Sequence, residues 1–152
     1  MARQFMFMLN APEVAWFSRQ LQAAEAGDGA AACRVGDFYR EGKWLGSRPR
    51  KSFRWYVRGA WAGDEDAMNN LGACYHNGFG CQKDMGKAIH WYRQAARAGS
   101  SEALDNLGRC YKEGNGVPKD LDRAADIFRQ AAAMGHAKAA ERLAEMGLKT
   151  EA

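Results

Sequence analysis

Residues 65–80 read Glu65-Asp66-Ala67-Met68-Asn69-Asn70-Leu71-Gly72-Ala73-Cys74-Tyr75-His76-Asn77-Gly78-Phe79-Gly80, and the stretch from Asp84 to Gly99 completes a block that recurs 36 residues later. Asn70, Leu71, Gly72, Cys74, Tyr75, Gly78, Gly80, Asp84 and Gly99 return as Asn106, Leu107, Gly108, Cys110, Tyr111, Gly114, Gly116, Asp120 and Gly135. In all, 16 of 36 positions are identical without a gap. Thirty-six residues upstream the frame is weaker but holds at Gly36, Tyr39, Gly42, Trp55, Tyr56, Ala60 and Gly63. A fixed period of this length marks a stack of small units, none of which can bury its own apolar face alone.

Within the block, Leu71, Gly72 and Tyr75 share one side of a helix. After the glycine turn, Ala88, Ile89, Trp91, Tyr92, Ala95 and Ala96 supply a second helical apolar face. Each unit therefore reads as two helices. The frame predicts first helices over 30–41, 66–77 and 102–113, and second helices over 51–62, 87–98 and 123–134. A helix over 12–27, with Trp16, Phe17, Leu21 and Ala24 on its apolar face, caps the N-terminal end. Another over 137–148 seals the other end. The expected architecture is an all-α, right-handed solenoid of eight helices in one domain, 1–152, divided as 12–27, 30–64, 65–100, 101–136 and 137–148. Met1–Asn10 is expected to be a loosely held lead-in.

Gly42, Gly78 and Gly114 stand just past the first helices, where a residue with φ > 0 is needed, and glycine meets that need without a steric penalty. Gly36, Gly72 and Gly108 are different. They lie inside helices at a cost of about 1 kcal/mol each against alanine, so close approach of the partner helix is expected there. Repeat one departs from the others in its turn: Trp44 replaces the second glycine, and Arg48 replaces the capping aspartates Asp84 and Asp120.

Apolar residues make up 47% and charged residues 26% of the chain, which excludes a disordered polyelectrolyte. No apolar run is long enough to span a bilayer, so membrane insertion is not expected. Cys33, Cys74, Cys81 and Cys110 form no CxxC pair, and Cys74 and Cys110 sit at one position of adjacent units, about 8–10 Å apart for packed helices. That is too far for a disulfide. Reduced, buried thiols and a cytoplasmic location are the expectation, with a periplasmic location left open.

His76, His90 and His136 lie on different elements without a ligand spacing, so no metal or cofactor is expected. The serines fit caps and turns, and no nucleophile–base–orienter set is visible. The run Lys43, Arg48, Arg50, Lys51, Arg54 and Arg58 has no acid between Glu41 and Asp64, and it carries Trp44 and Phe53. Basic residues with stacking aromatics suit a single nucleic-acid strand. However, Phe53 falls on the core side of its helix, and this reading of residues 43–58 is disfavoured.

The combined pattern Ala-x-x-Asn-Leu-Gly-x-Cys-Tyr-x-x-Gly-x-Gly followed by Asp-x-x-Lys-Ala-x-x-Trp-Tyr-x-x-Ala-Ala-x-x-Gly resembles the Sel1-like repeat, an α/α relative of the tetratricopeptide repeats. The resemblance covers residues 30–136 and implies a non-enzymatic bacterial adaptor or scaffold that grips a protein or peptide partner in a concave groove lined by first helices. A cysteine-rich branch of the family is linked to penicillin binding and weak β-lactamase activity. Its paired cysteines straddle the turns between repeats, and here the turns at Gly63, Gly99 and Gly135 carry none. By the tetratricopeptide-like frame, the partner-binding candidates are Arg34, Asp37, Asn69, Asn70, Ala73, His76, Asp105, Asn106, Arg109 and Lys112. Asn70 and Asn106 match a position where related repeats use an amide to bond a peptide backbone. The same amides could instead bridge between repeats, and the sequence leaves both readings open. It also leaves open the partner's identity and the oligomeric state.

Overall fold

The 36-residue frame folds into consecutive antiparallel helix pairs. A computed structural model describes residues 11–42, 44 and 46–150. The expected lead-in, Met1–Asn10, lies outside the described residues, as do Lys43, Leu45 and the last two residues. Eight helices and no strand occur among the described residues: α1 (Ala11–Glu25), α2 (Gly29–Glu41), α3 (Pro49–Trp61), α4 (Glu65–Asn77), α5 (Met85–Arg97), α6 (Ser101–Glu113), α7 (Leu121–Ala133) and α8 (Ala137–Glu145). Each helix packs on the next along the chain, with the tightest pairing inside the units α2–α3, α4–α5 and α6–α7. The first helices α2 and α4 also touch directly.

Local chemistry sets the helix ends. Asp28, Asp64 and Ser100 cap α2, α4 and α6 by accepting from the backbone N–H of Ala31, Ala67 and Ala103. Asp84 and Asp120 cap α5 and α7 in the same way. Arg48, at the start of α3, makes no such bond, and Pro49 in the first turn opens that helix instead. Gly42, Gly78 and Gly114 take φ of 66°, 69° and 70° and end the first helices, as their recurrence requires.

The mid-helix glycines have a definite cause. A Cβ on Gly36, Gly72 or Gly108 would lie 2.6–2.7 Å from a ring carbon of Tyr56, Tyr92 or Phe128. The partner helix thus approaches through an aromatic side chain packed directly against the glycine. Those three rings are buried to 1%, 2% and 0% exposure and form the centre of each unit. Burying such a ring stabilises the fold by about 1.5–3 kcal/mol, more than the glycine costs.

The turn of repeat one differs for a reason visible at its neighbour. A Cβ on Gly80 would collide with the backbone of Pro49, and one on Gly116 with Met85, so in repeats two and three the second glycine abuts the preceding second helix. Before repeat one stands α1. Trp44 fills the corresponding space, edge-on to Phe38 at 4.5 Å and to Phe17 of α1 at 5.7 Å. Phe17, Leu21 and Ala24 pack α1 onto the stack. Trp16, read from sequence as part of that apolar face, is 40% exposed instead.

Candidate functional site

The first helices turn one face toward the second helices and leave the other lining two open cavities. The cavity over α2 and α4 measures about 350 Å³, and the one over α6 and α8 about 310 Å³. Glu102 lines both and forms the ridge between them. Arg34, Asp37, Asn69 and Asn70 line the first; Asp105, Asn106 and Arg109 line the second. Seven of the ten candidates are therefore brought together along one face. Ala73, His76 and Lys112 line neither cavity. The Ala73 carbonyl accepts from Asn77 Nδ2 at 3.0 Å. The His76 ring lies 3.4 Å from both Tyr92 Oη and Asn115 Nδ2. Lys112 Nζ approaches Glu145 at 3.8 Å.

A polar ladder runs beneath this face, and it decides which side chains are free. Arg34 Nε donates to Gln20 Oε1 of α1 at 2.6 Å. One repeat on, Asn70 Nδ2 lies 3.5 Å from both Cys33 Sγ and Asp37 Oδ1. Next, Asn106 Nδ2 donates to Asn69 Oδ1 at 3.0 Å. Last, Arg142 donates twice to Asp105, Nε to Oδ1 at 2.6 Å and Nη2 to Oδ2 at 3.1 Å. The donors are spaced by 36 residues, and each reaches back across a junction. Asn69 and Asp105 are both only 4% exposed, so burial and these bonds tie them to the junctions. Of the two readings of the asparagines, Asn106 makes the inter-repeat bridge outright.

The charges that line the two cavities differ. The first gathers Asp37, Asp64, Asp66 and Glu102 against Arg34 and Arg40. Arg40 pairs with Asp37 at 3.1 Å, and Tyr56 Oη donates to Asp37 Oδ1 at 2.7 Å. Burial, followed by the nearby carboxylates Asp64, Glu65, Glu102 and Asp37, holds the Asp66 carboxyl above its ordinary range. In the second cavity, Asp105 takes up Arg142, which leaves Arg109 and Lys138 without an ion-pair partner among the described residues. The groove is thus negative at one end and positive at the other. Sequence reading missed Arg142, Lys138 and His136. Arg142 stands 36 residues after Asn106, so extending the frame past Gly135 locates it.

Burial raises the thiols of Cys33 and Cys74 to about 12 and that of Cys110 to about 11. All four cysteines are unpaired. Trp44 and Phe53 of the basic run are both engaged, Trp44 as described and Phe53 edge-on to Tyr75 at 5.5 Å. No group of three or more potential metal-ligating side chains occurs among the described residues. No helix there is long and apolar enough to cross a membrane.

The family model for the Sel1 repeat matches residues 29–64, 65–100 and 101–136. No curated protein matches the chain. Among solved structures, a Sel1 repeat protein from Oxalobacter formigenes is similar at 30% identity and a TM-score of 0.74, over 83% of this chain and 54% of that one. The protein c5321, a protective antigen present in uropathogenic Escherichia coli strains and displaying an SLR fold, is similar at 31% identity and a TM-score of 0.80, over 88% of this chain and 30% of that one. The chain thus spans about half the length of the first and under a third of the second. The cysteine rich protein B of Helicobacter pylori shares the fold at 21% identity and a TM-score of 0.64, over 81% of this chain and 91% of that one.

Proposed function

The chain belongs to the Sel1 repeat family, and from that premise we propose that it is a non-enzymatic adaptor whose inner groove holds a segment of a partner protein. The observation that carries this reading is the charge division of the groove. Asp66 and Glu102 offer carboxylates to a basic side chain, and Arg109 and Lys138 offer cations to an acidic one. Such a groove fixes the direction of a bound segment, because reversing it would set like charges together. Amide groups of the ladder that keep a free donor or acceptor supply contacts to a peptide backbone.

The thiol chemistry supports the non-enzymatic part. Thiols raised to about 11 or 12 stay protonated at neutral pH and are poor nucleophiles. Unpaired cysteines also support the reducing cytoplasm as the working compartment.

A random-peptide display selection tests the reading. Segments carrying a basic and an acidic residue in a fixed order should be enriched. Asp66→Lys with Glu102→Lys should weaken the selected peptides at least tenfold, about 1.4 kcal/mol, and so should Arg109→Glu with Lys138→Glu. Selection that ignores both reversals would place the partner surface elsewhere.

A further inference from the structure

The outward positions of the second helices also line up in the 36-residue register, and their charge changes along the stack. On α3 they are Arg50, Arg54, Arg58 and Trp61. The i, i+4, i+8, i+11 spacing sets them in one narrow stripe. All four are exposed, Trp61 to 78%. The same positions hold Gly86, His90, Gln94 and Arg97 on α5, and Asp122, Asp126, Gln130 and Ala133 on α7. The outer face therefore runs from basic through nearly neutral to acidic.

Little inside the molecule neutralises the basic end. Arg50 and Arg54 have no acidic partner among the described residues, and Arg58 lies over the Trp55 ring at 4.7 Å. The Trp61 indole meets solvent on most of its surface and touches Trp91 edge-on at 5.8 Å. Tryptophan and arginine dominate the energetics of protein interfaces. At the acidic end Asp122 has no ion-pair partner among the described residues, and Asp126 is held at 2.9 Å by Arg129 of its own helix. Just beyond, Met134 is 49% exposed and provides an apolar counterpart to Trp61.

We propose that this outer face is a self-association surface, with α3 of one copy docking on α7 of a second copy and α7 of the first on α3 of the second. With the two helices side by side and parallel, Arg50 faces Asp122, Arg54 faces Asp126, and Trp61 reaches Ala133 and Met134. The register follows from the repeat itself, since the facing positions are equivalent ones two repeats apart. With the copies related by a two-fold axis along the helices, α7 of the first meets α3 of the second in the same register, so the contact closes as a dimer. The inner groove takes no part, so this proposal stands or falls separately from the function proposed above.

Sedimentation velocity over a concentration series tests it. At low salt the average mass should rise with concentration and return to the monomer at ~0.5 M salt, where charges are screened within a few ångströms. Arg50→Glu with Arg54→Glu should be monomeric, and so should Asp122→Arg with Asp126→Arg. An equimolar mixture of the two variants should associate again, because each then presents a stripe that the other complements. All four positions are exposed, and unchanged circular-dichroism melts verify folding. Trp61→Ala should lower the association constant at least tenfold. A wild-type chain that stays monomeric at hundreds of micromolar and low salt would overturn the proposal, as would variants that associate like the wild type. If the chain stays monomeric but binds a single-stranded oligothymidylate through Arg50 and Arg54, the stripe is a nucleic-acid surface and self-association is wrong.

Discussion

Two of the repeat junctions use the same slot with very different chemistry. Between repeats one and two, Asn70 reaches Asp37 at 3.5 Å, beyond the usual N–H···O range, and the weakly accepting Cys33 sulfur at 3.5 Å. Between repeat three and α8, Arg142 grips Asp105 through two charge-assisted bonds, one of 2.6 Å. The junction between repeats two and three, Asn106 to Asn69 at 3.0 Å, lies between them in strength. The apolar contribution runs the other way. α8 has nine residues and buries only Ala139 and Leu143, whereas α4 has thirteen residues and buries Ala67, Leu71 and Cys74 against its neighbours. At α8, which brings little apolar surface, a two-bond polar clamp holds the helix.

Breaking the clamp should have the largest effect. Arg142→Ala leaves the Asp105 carboxylate, whose side chain is 6% exposed, without its cation. Losing one partner of a buried pair costs about 3–5 kcal/mol. The Arg142 side chain is 25% exposed, so water offsets part of this, and we expect about 2–3 kcal/mol. Urea melts of Arg142→Ala, Asn106→Ala and Asn70→Ala should show falling costs, with about 1 kcal/mol for Asn106 and less for Asn70. Equal costs for all three would show that the junctions are not graded.

Packing inside the repeats should, by contrast, be uniform. Gly36→Ala, Gly72→Ala and Gly108→Ala each push a methyl into a buried ring that begins 2.6–2.7 Å away. Each should cost about 1–3 kcal/mol, the usual penalty for overpacking. Tyr92→Leu added to Gly72→Ala should recover part of the loss by making room. A cost confined to one repeat would mean that the rings are not equally fixed.

This contrast also explains what the sequence disclosed. The units were legible because glycine at 36, 72 and 108 and an aromatic at 56, 92 and 128 answer one steric demand that does not change from repeat to repeat. Asn69, Asn70, Asp105 and Asn106 were legible as residues of the inner face, because helical periodicity fixes their direction. Their partners were not. That Asn106 reaches back to Asn69 depends on the stagger between α4 and α6, which no periodicity within one helix encodes. Arg142 is harder to see because Gly147 stands where the frame expects a tyrosine, and the repeat pattern fades across α8. The paired charges show why a polar position needs more than its direction: Asp105 points inward yet is consumed by the fold.

A smaller effect separates the acidic cavity from the junctions around it. The folded state holds the Asp66 carboxyl above its ordinary value through burial and through Asp64, Glu65, Glu102 and Asp37. A raised carboxyl binds its proton better in the folded chain, so the folded state gains at acid pH and loses as pH rises through the folded value. Asp66→Asn should therefore melt slightly higher than wild type at pH 7, with the difference vanishing in acid. If Asp66 also serves the groove, the same variant should bind the selected peptides less well, a stability gained at the expense of function. A lower melt at pH 7 would show that the carboxylates do not repel one another in solution.

The smallest effect is expected at His76, which joins two repeats through Tyr92 and the Asn115 turn. Burial first, and then the positive charges of Arg109 and Lys83, hold its imidazole below the ordinary 6.5. A depressed imidazole binds a proton less well in the folded chain than in the unfolded one. Stability from this group is therefore complete above about pH 6.5 and declines as the pH falls below it. His76→Gln should flatten the pH dependence of the melt between about pH 7.5 and 5.5 relative to wild type. The ring is only half-buried, so water screens it and the change should be small. The same imidazole reports on the groove, because Arg109 is one of the charges that depresses it. Arg109→Gln should raise the midpoint of the His76 titration followed by nuclear magnetic resonance. A bound acidic segment that neutralises Arg109 should raise it as well. A midpoint indifferent to Arg109→Gln would disconnect the histidine from the positive end of the groove and leave it as a junction contact alone.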